Sequence, residues 1–240
     1  MIAFPHAGGS ATYFFPMAEA LRRAARPLEL DILSVQYPGR QERRLEPCVD
    51  DLQTLADLAV KELLPFTDRP LVLFGHSMGA MVAFEVARQF EQQHGITPLT
   101  FFASGRGAPA TARQDNLHRL PDRAIIDELG LLDGTSSVLL SDPEVLKMVM
   151  PALRADYKAV ETYTYRPAPP LRCPVHVVIG DSDPRVTAES AQAWGQHTEG
   201  GHRLSVFKGG HFYLKDQQDA LVATIVDHLT TLPVQRTAHG

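Results

Sequence analysis

The sequence predicts an α/β fold in which a mostly parallel central sheet lies between layers of helices. Short runs rich in β-branched and aromatic residues alternate with longer helical patterns, as expected of strands joined by helical crossovers. The run Leu71–Phe74 is nearly all apolar, as a strand buried on both faces requires. Six strands are predicted, over residues 2–4, 32–37, 71–74, 99–103, 175–179 and 204–207.

Apolar residues at helical spacing predict three of the connecting helices. One stripe covers Leu52–Leu63, a second covers Ala80–Ala87 after the third strand, and a third covers Leu221–Leu229 near the end of the chain. Parallel strands need connections of this length, so each helix fits a crossover.

Length and composition limit the classes of protein that fit. The chain has 240 residues, which predicts one domain over residues 1–240. A formal net charge of -5 and the lack of a basic patch argue against a nucleic-acid-binding protein. Two distant cysteines, Cys48 and Cys173, form neither a disulfide framework nor a metal motif. We find no apolar run long enough for a membrane span and no signal-peptide pattern, so we expect a cytoplasmic protein without a membrane partner or a metal.

One long segment interrupts the alternation of strands and helices. Residues 105–170 contain no strand-like run, only short helical patterns and turn signals. The stretches Leu120–Asp122 and Ser141–Glu144 have residue types that begin helices. Because insertions of this length are usually functional, we predict a helical lid, with a purely structural insertion as the alternative.

The pentapeptide at residues 75–79, Gly-His-Ser-Met-Gly, matches the pattern G-x-S-x-G. It lies between the apolar strand and a predicted helix, which is the context of the nucleophile elbow in an α/β-hydrolase. The turn presents the serine oxygen above a helix N-terminus, where negative charge is favoured. Ser77 is therefore the predicted nucleophile.

A serine nucleophile needs a base and a carboxylate that orients the base. His211 follows the last predicted strand and two glycines, so it is the predicted base. Asp181 and Asp183 both follow the fifth strand. We favour Asp183, which lies farther into the loop, whereas Asp181 can instead bond backbone amides of the turn. The order Ser77, Asp183, His211 is the order used by this fold.

The oxyanion of an acyl-transfer reaction needs two N–H donors. The first is predicted to be the backbone N–H of Met78, directly after the nucleophile. The second is expected in the loop after the first strand, which reads Pro-His-Ala-Gly-Gly-Ser over residues 5–10, and Ala7 is the predicted donor.

At this point the sequence resembles the type II (external, editing) thioesterases of polyketide and nonribosomal peptide synthesis. Two motifs, Tyr37-Pro-Gly-Arg40 and Pro151-x-x-Arg-Ala-Asp156, are far less generic than G-x-S-x-G. The resemblance extends nearly end to end and also includes segments 4–10, 75–79, 104–106, 142–144 and 209–212. The lead-in before His6 is shorter than that of the family.

The resemblance implies hydrolysis of acyl groups from the phosphopantetheine arm of carrier proteins, which clears misprimed or stalled units from a megasynthase. The partners would be acyl or peptidyl carrier domains, no cofactor beyond the substrate's own phosphopantetheine is implied, and a monomer is the default expectation. Residues 105–170 would be the lid over the acyl chamber. Apolar lid residues are candidates to line the chamber or to pack as core: Leu129, Leu131, Leu132, Val138, Leu139, Met148 and Met150.

Three arginines after the second predicted strand, Arg40, Arg43 and Arg44, are candidates for docking the acidic carrier or its phosphate. The alternative is a solvated loop with ion pairs to Glu42 and Glu46.

Three other functions stay open on the same residues. A general esterase or lactonase would cleave oxygen esters as readily as thioesters. An acyltransferase would exclude water and give products other than the free acid. A binding module with a decayed site is disfavoured because the sequence retains a full set of nucleophile, base and acid.

Overall fold

The computed structural model describes residues 1–26, 28–111, 115–133 and 142–232. Its six strands form one parallel sheet in the order β2-β1-β3-β4-β5-β6, so the predicted fold class is confirmed. The strands are β1 (Ile2–Phe4), β2 (Leu33–Ser34), β3 (Val72–His76), β4 (Thr100–Ser104), β5 (Val175–Gly180) and β6 (His202–Phe207).

The second strand is much shorter than predicted. Its neighbour β1 ends at Phe4, so the ladder stops after the Val35 N–H donates to the Ala3 carbonyl at 2.9 Å. A strand with no partner cannot continue its hydrogen bonding, and the chain after Val35 leaves the sheet toward Pro38 and Gly39.

Eight α-helices lie in the described parts of the chain. The three helices predicted from apolar spacing are all present, and α1, α6 and α7 are additional. Their bounds are α1 (Phe15–Ala24), α2 (Leu52–Leu63), α3 (Met78–Gln93), α4 (Asp122–Asp133), α5 (Pro143–Thr162), α6 (Ala188–Gln192), α7 (Tyr213–Asp216) and α8 (Gln218–Thr231). None of these helices is long and apolar enough to cross a membrane.

Side chains of the central strands alternate between two apolar layers, as the two-residue period of a strand requires. Leu73 and Phe101 belong to the core cluster beneath α2 and α3. Their neighbours Phe74 and Phe102 belong to the cluster beneath α1 and α8. The sheet is thus buried on both faces, and its carboxyl edge is where the connecting loops meet.

The segment between β4 and β5 contains α4 and α5 together with short 3-10 turns at 109–111 and 117–119. Asp122 begins α4 and Pro143 begins α5, so both helices begin within the predicted stretches. The Asp142 carboxylate accepts a hydrogen bond from the Glu144 N–H and caps α5. These helices pack on each other through a small cluster of their own: Ile125, Met150, Leu153 and Tyr157. Ser141, Val138 and Leu139 lie outside the described residues.

Candidate active site

Ser77 lies in a sharp turn between β3 and α3. Its φ is +54° and its ψ is −117°, a backbone conformation that is strained for a residue with a side chain. The Ser77 N–H donates to the Ser104 carbonyl at 2.8 Å. The flanking glycines are required, because a Cβ at Gly75 would lie 2.3 Å from the Gly79 carbonyl oxygen and one at Gly79 would lie 2.0 Å from that of Phe4.

The structure brings the predicted nucleophile, base and acid together. The Nε2 atom of His211 lies 2.9 Å from Ser77 Oγ, and its Nδ1 lies 2.8 Å from Asp183 Oδ2. With the proton on Nδ1 donated to the carboxylate, Nε2 can accept the serine proton. The second Asp183 oxygen accepts the backbone N–H of Arg185 at 2.8 Å, which fixes the carboxylate.

The loops that carry Asp183 and His211 meet through a close backbone approach. A Cβ at Gly180 would lie 2.3 Å from the carbonyl oxygens of both Gly209 and Gly210, so a side chain there would separate the two loops. This contact sets the separation between the base and its carboxylate.

Asp181, the alternative acid, points elsewhere. Its side chain is exposed, and its Oδ1 accepts the Gly209 N–H at 2.9 Å and the Ser182 hydroxyl at 2.8 Å. These hydrogen bonds lower the pKa of Asp181. Asp181 therefore holds the loop before His211 and does not touch the imidazole.

The two predicted oxyanion donors face the same cavity as Ser77 and His211. Met78 is the first residue of α3, and Ala7 belongs to the loop that follows β1. The N-terminal amides of a helix have no partner within the helix, so the Met78 N–H is suited to an incoming oxyanion.

The cavity has a volume of about 130 Å³ and lies between the sheet edge and the two helices of the inserted segment. Leu132 on α4 and Tyr157 and Val160 on α5 supply much of its apolar wall. Of the described apolar candidates in this segment, only Leu132 lines the cavity. Leu131 and Met148 are exposed by 76% and 67%, and the others pack within the small cluster of α4 and α5: Leu129 and Met150.

Several charged side chains also line the cavity, and the sequence did not predict them. Arg185 pairs with Glu128 and Asp115. Glu161 accepts the N–H groups of Leu117 and His118 at 2.8 and 3.0 Å. Their sequence positions have no common spacing, so no local pattern reveals them.

Arg106, on the same wall, differs from its charged neighbours. Within the described residues, no hydrogen bond or ion pair uses its guanidinium, which is half-buried. Burial, together with nearby Arg185, lowers the pKa of Arg106 to about 10, so it stays positive at neutral pH. The cavity therefore has a cationic donor group available to a bound molecule.

Two further histidines lie near His211, of which His76 is buried and His6 is half-buried. The His76 ring lies 5.1 Å from the His211 ring, and its Nδ1 is 2.9 Å from Ser104 Oγ. Burial lowers the pKa of His76 well below its usual range and that of His6 to about 3, with neighbouring His211 contributing to both shifts. Both rings are neutral at neutral pH and place no positive charge beside His211 when it accepts a proton.

The structure corrects the predicted docking role of Arg40. Its side chain is only 8% exposed, and its two terminal nitrogens donate to the two oxygens of Asp156 at 2.6 and 2.8 Å. A guanidinium paired in the interior cannot meet a partner protein. Arg43 forms an ion pair with Glu46, which agrees with the alternative interpretation of this stretch as a solvated loop. Arg44 is exposed.

Among the described residues, no group of three or more histidine, cysteine, aspartate or glutamate side chains is arranged to hold a metal ion.

Comparisons of sequence place the chain among thioesterases. The Thioesterase domain family matches residues 1–229. A protein of Streptomyces griseus named as a probable cadicidin biosynthesis thioesterase is 48% identical over 95% of this chain, which spans 62% of that relative's length. Thioesterase PikA5 of Streptomyces venezuelae is 46% identical over 95% of this chain and 80% of its own length.

Comparisons of structure agree. The type II thioesterase BorB from the borrelidin biosynthetic cluster has a TM-score of 0.86 at 47% identity, over 95% of this chain and 91% of BorB. RedJ, a thioesterase of the prodiginine pathway in Streptomyces coelicolor, has a TM-score of 0.86 at 32% identity, over 94% and 84% of the two chains. An enol-lactonase from Burkholderia xenovorans, 17% identical with a TM-score of 0.70 over 95% of this chain and 90% of its own, shares the fold alone.

Replacing each candidate acid in turn tests the assignment of Asp183. Asp183→Asn should lower kcat for an acyl thioester by about 10⁴-fold, because the imidazole loses both its orienting partner and the charge that stabilises imidazolium. Asp181→Asn is the matched control, and it should keep kcat close to that of the wild type. Release of thiol from a short acyl-coenzyme A measures both variants. Full activity of Asp183→Asn, or an equal loss in both, would contradict the assignment.

Proposed function

The chain belongs to the thioesterase family, and on that premise we propose that it releases acyl groups from the phosphopantetheine arm of carrier proteins in polyketide or nonribosomal peptide synthesis. The observation that carries the proposal is the hydrogen-bonded series Ser77, His211 and Asp183, which opens into the cavity beneath α4 and α5. The role proposed is the removal of misprimed or stalled acyl units, as in the type II thioesterases that the chain resembles.

The reaction proceeds in two steps. Ser77 Oγ attacks the thioester carbonyl while His211 Nε2 takes the serine proton, and the oxyanion accepts hydrogen bonds from the Met78 and Ala7 amides. The C–S bond then breaks, and the imidazolium gives its proton to the departing thiolate. In the second step, His211 removes a proton from water as the water oxygen attacks the acyl-serine carbonyl. The bond between Ser77 Oγ and the carbonyl carbon then breaks, the imidazolium returns its proton to Ser77 Oγ, and the free acid leaves. Both steps use only the protein's own groups and water, so the proposal requires no cofactor.

The cavity favours short acyl groups. Its volume of about 130 Å³ is small beside the roughly 300–1,000 Å³ of most ligand sites. The Arg106 guanidinium suits an acyl chain with an oxygen atom beyond the thioester carbonyl, because it is half-buried, has no partner among the described residues, and gains a charge-assisted hydrogen bond when an acceptor reaches it. The inserted segment at 105–170 acts in this proposal as the lid of the chamber.

The carrier protein would dock outside this cavity. Of the three arginines predicted to bind it, Arg44 is the most exposed to solvent and is therefore the proposed contact. Arg43 is already paired with Glu46, so it adds less charge to the surface. We propose that the chain acts as a monomer in the cytoplasm with carrier domains as its partners.

A panel of substrates tests the proposed function. Acetyl, propionyl, butyryl and longer acyl groups are compared on carrier protein and on coenzyme A, beside an oxygen ester, with products identified by mass spectrometry. We expect free acid as the product and faster release of the short groups from the carrier. Oxygen esters cleaved equally well, with no gain from the carrier, would favour a general esterase or lactonase, and acyl products other than the acid would favour an acyltransferase.

Reversing one charge tests carrier docking. Arg44→Glu should raise KM for an acyl-carrier by about fivefold, since an exposed ion pair contributes up to about 1 kcal/mol, and should leave KM for the coenzyme A thioester unchanged. Arg22→Glu, an exposed arginine on α1, is the control and should change neither. Equal effects of Arg44→Glu on both substrates would remove the docking role.

Truncating Arg106 tests its contact with the acyl chain. Arg106→Leu should lower kcat/KM about tenfold or more for acyl groups with a second oxygen, because a charge-assisted hydrogen bond contributes roughly 1.5–3 kcal/mol. Saturated acyl groups of the same length, measured in the same assay, should lose much less. A uniform loss across both series would contradict a specific contact.

A further inference from the structure

Asp156, on α5, contacts the loop that contains the predicted oxyanion donor Ala7. Its Oδ2 accepts the Gly8 N–H at 2.7 Å, and both of its oxygens accept from the Arg40 guanidinium. The carboxylate is fully buried, and Arg40 is nearly so. One carboxylate therefore joins three segments that are distant in sequence: the loop after β1, the segment after β2, and α5.

The same loop is held from several other directions. Arg40 Nη1 also donates to the Gly9 carbonyl at 3.2 Å. Gly8 has a φ of +74°, and a Cβ there would lie 2.4 Å from Leu153 Cδ2, so the loop lies directly against α5. The loop is thus fixed through the Gly8 N–H and the Gly9 carbonyl, with no room to shift toward the helix.

Fixing these groups sets the direction of the Ala7 N–H. The Gly9 N–H donates to the His6 carbonyl at 2.9 Å. In a planar trans peptide, the N–H of Ala7 points opposite to the carbonyl of His6. The Gly8 N–H, on the other side of Ala7, is held by Asp156. Both peptide planes that flank Ala7 are therefore held, in a stretch whose two glycines would otherwise allow many conformations.

Stability alone is a weak reason for a buried ion pair in this place. Replacing such a pair by apolar residues is often neutral or stabilising, because both charges must leave water. Its position is better explained by the precision that it gives to the loop, since oxyanion donors act only when their N–H groups are already aimed.

We propose that Asp156 and Arg40 are positioning residues for the oxyanion hole. Through Asp156, helix α5 supports catalysis although it contributes no reacting atom. Neither residue touches the substrate. Each acts through the Gly8–Gly9 backbone, so their loss weakens binding of the transition state and leaves binding of the substrate largely intact. The inference rests on the proposed function for the identity of the reaction and for Ala7 as an oxyanion donor.

Asp156→Asn and Arg40→Lys provide the test. For hydrolysis of a propionyl-coenzyme A thioester, we expect kcat to fall about 10- to 100-fold in each variant with little change in KM. A trifluoromethyl ketone analogue of the same thioester, which forms an oxyanion on Ser77, should lose affinity by a similar factor. A non-reactive ether analogue of the substrate should bind as it does to the wild type.

Lys158→Gln is the matched control, because Lys158 is also on α5 and also pairs with a distant carboxylate, that of Asp50, but on the surface. It should retain the wild-type kcat. Rates are normalised to folded enzyme by far-UV circular dichroism, and Arg40→Lys, which keeps the positive charge beside Asp156, provides the folded test if Asp156→Asn is unstable.

Two outcomes would overturn the inference. One is an unchanged kcat in folded Asp156→Asn and Arg40→Lys, and the other is a loss that affects the ether and ketone analogues alike. A wild-type protein that hydrolyses no thioester would contradict the proposed function instead, so the two failures are distinguishable.

Discussion

The close backbone approach of Gly79 to the end of β1 is the constraint on which the rest of the site depends. A Cβ at Gly79 would lie 2.0 Å from the Phe4 carbonyl oxygen and 2.5 Å from that of Pro5, so α3 begins as close to β1 as only glycine permits. This approach places the first turn of α3 beside the loop after β1, and Met78 and Ala7 consequently face one cavity. The positive φ of Ser77 follows, because the chain must reverse from β3 into α3 at a single residue.

The groups around His211 suit the positive charge that it gains during the proposed reaction. The Asp183 carboxylate accepts a hydrogen bond from His211, and the nearby His6 and His76 have lowered pKa values and stay neutral. When His211 accepts the serine proton, its new charge meets a carboxylate on one side and uncharged rings on the other. This environment favours the imidazolium that both steps of the proposed reaction need.

Local patterns in the sequence predicted the features that depend on neighbouring residues: the strands, the longer helices and the turn at Ser77. Short runs of β-branched, aromatic and apolar residues predicted the strands, and helical spacing predicted the longer crossovers. The G-x-S-x-G pattern predicted a turn at Ser77, where the close backbone approaches require glycine on both sides. Asp183 was favoured over Asp181 from its distance past the strand, and the structure places only Asp183 against the imidazole. The predicted acid and base lie at strand ends, where the topology of a parallel sheet brings them together.

Contacts between distant segments could not be predicted in this way. Arg40 lies in an arginine-rich stretch that is typical of a solvated surface, and its burial depends on Asp156, 116 positions later. The motifs that contain these two residues stood out as unusual, yet nothing in either motif indicates that they meet. The charged residues of the cavity wall could not be predicted for the same reason. Arg106 and Arg185 belong to different loops, and only the folded sheet brings these loops together.

The most direct test of the account is to capture the acyl-enzyme on Ser77. The protein is mixed with a propionyl-loaded carrier, quenched within milliseconds, digested, and analysed by mass spectrometry. We expect one propionyl group on the peptide that contains Ser77, which appears before free propionate accumulates and is lost on further incubation. Release of propionate without any acyl group on that peptide, or undiminished release by Ser77→Ala, would contradict a serine-nucleophile thioesterase.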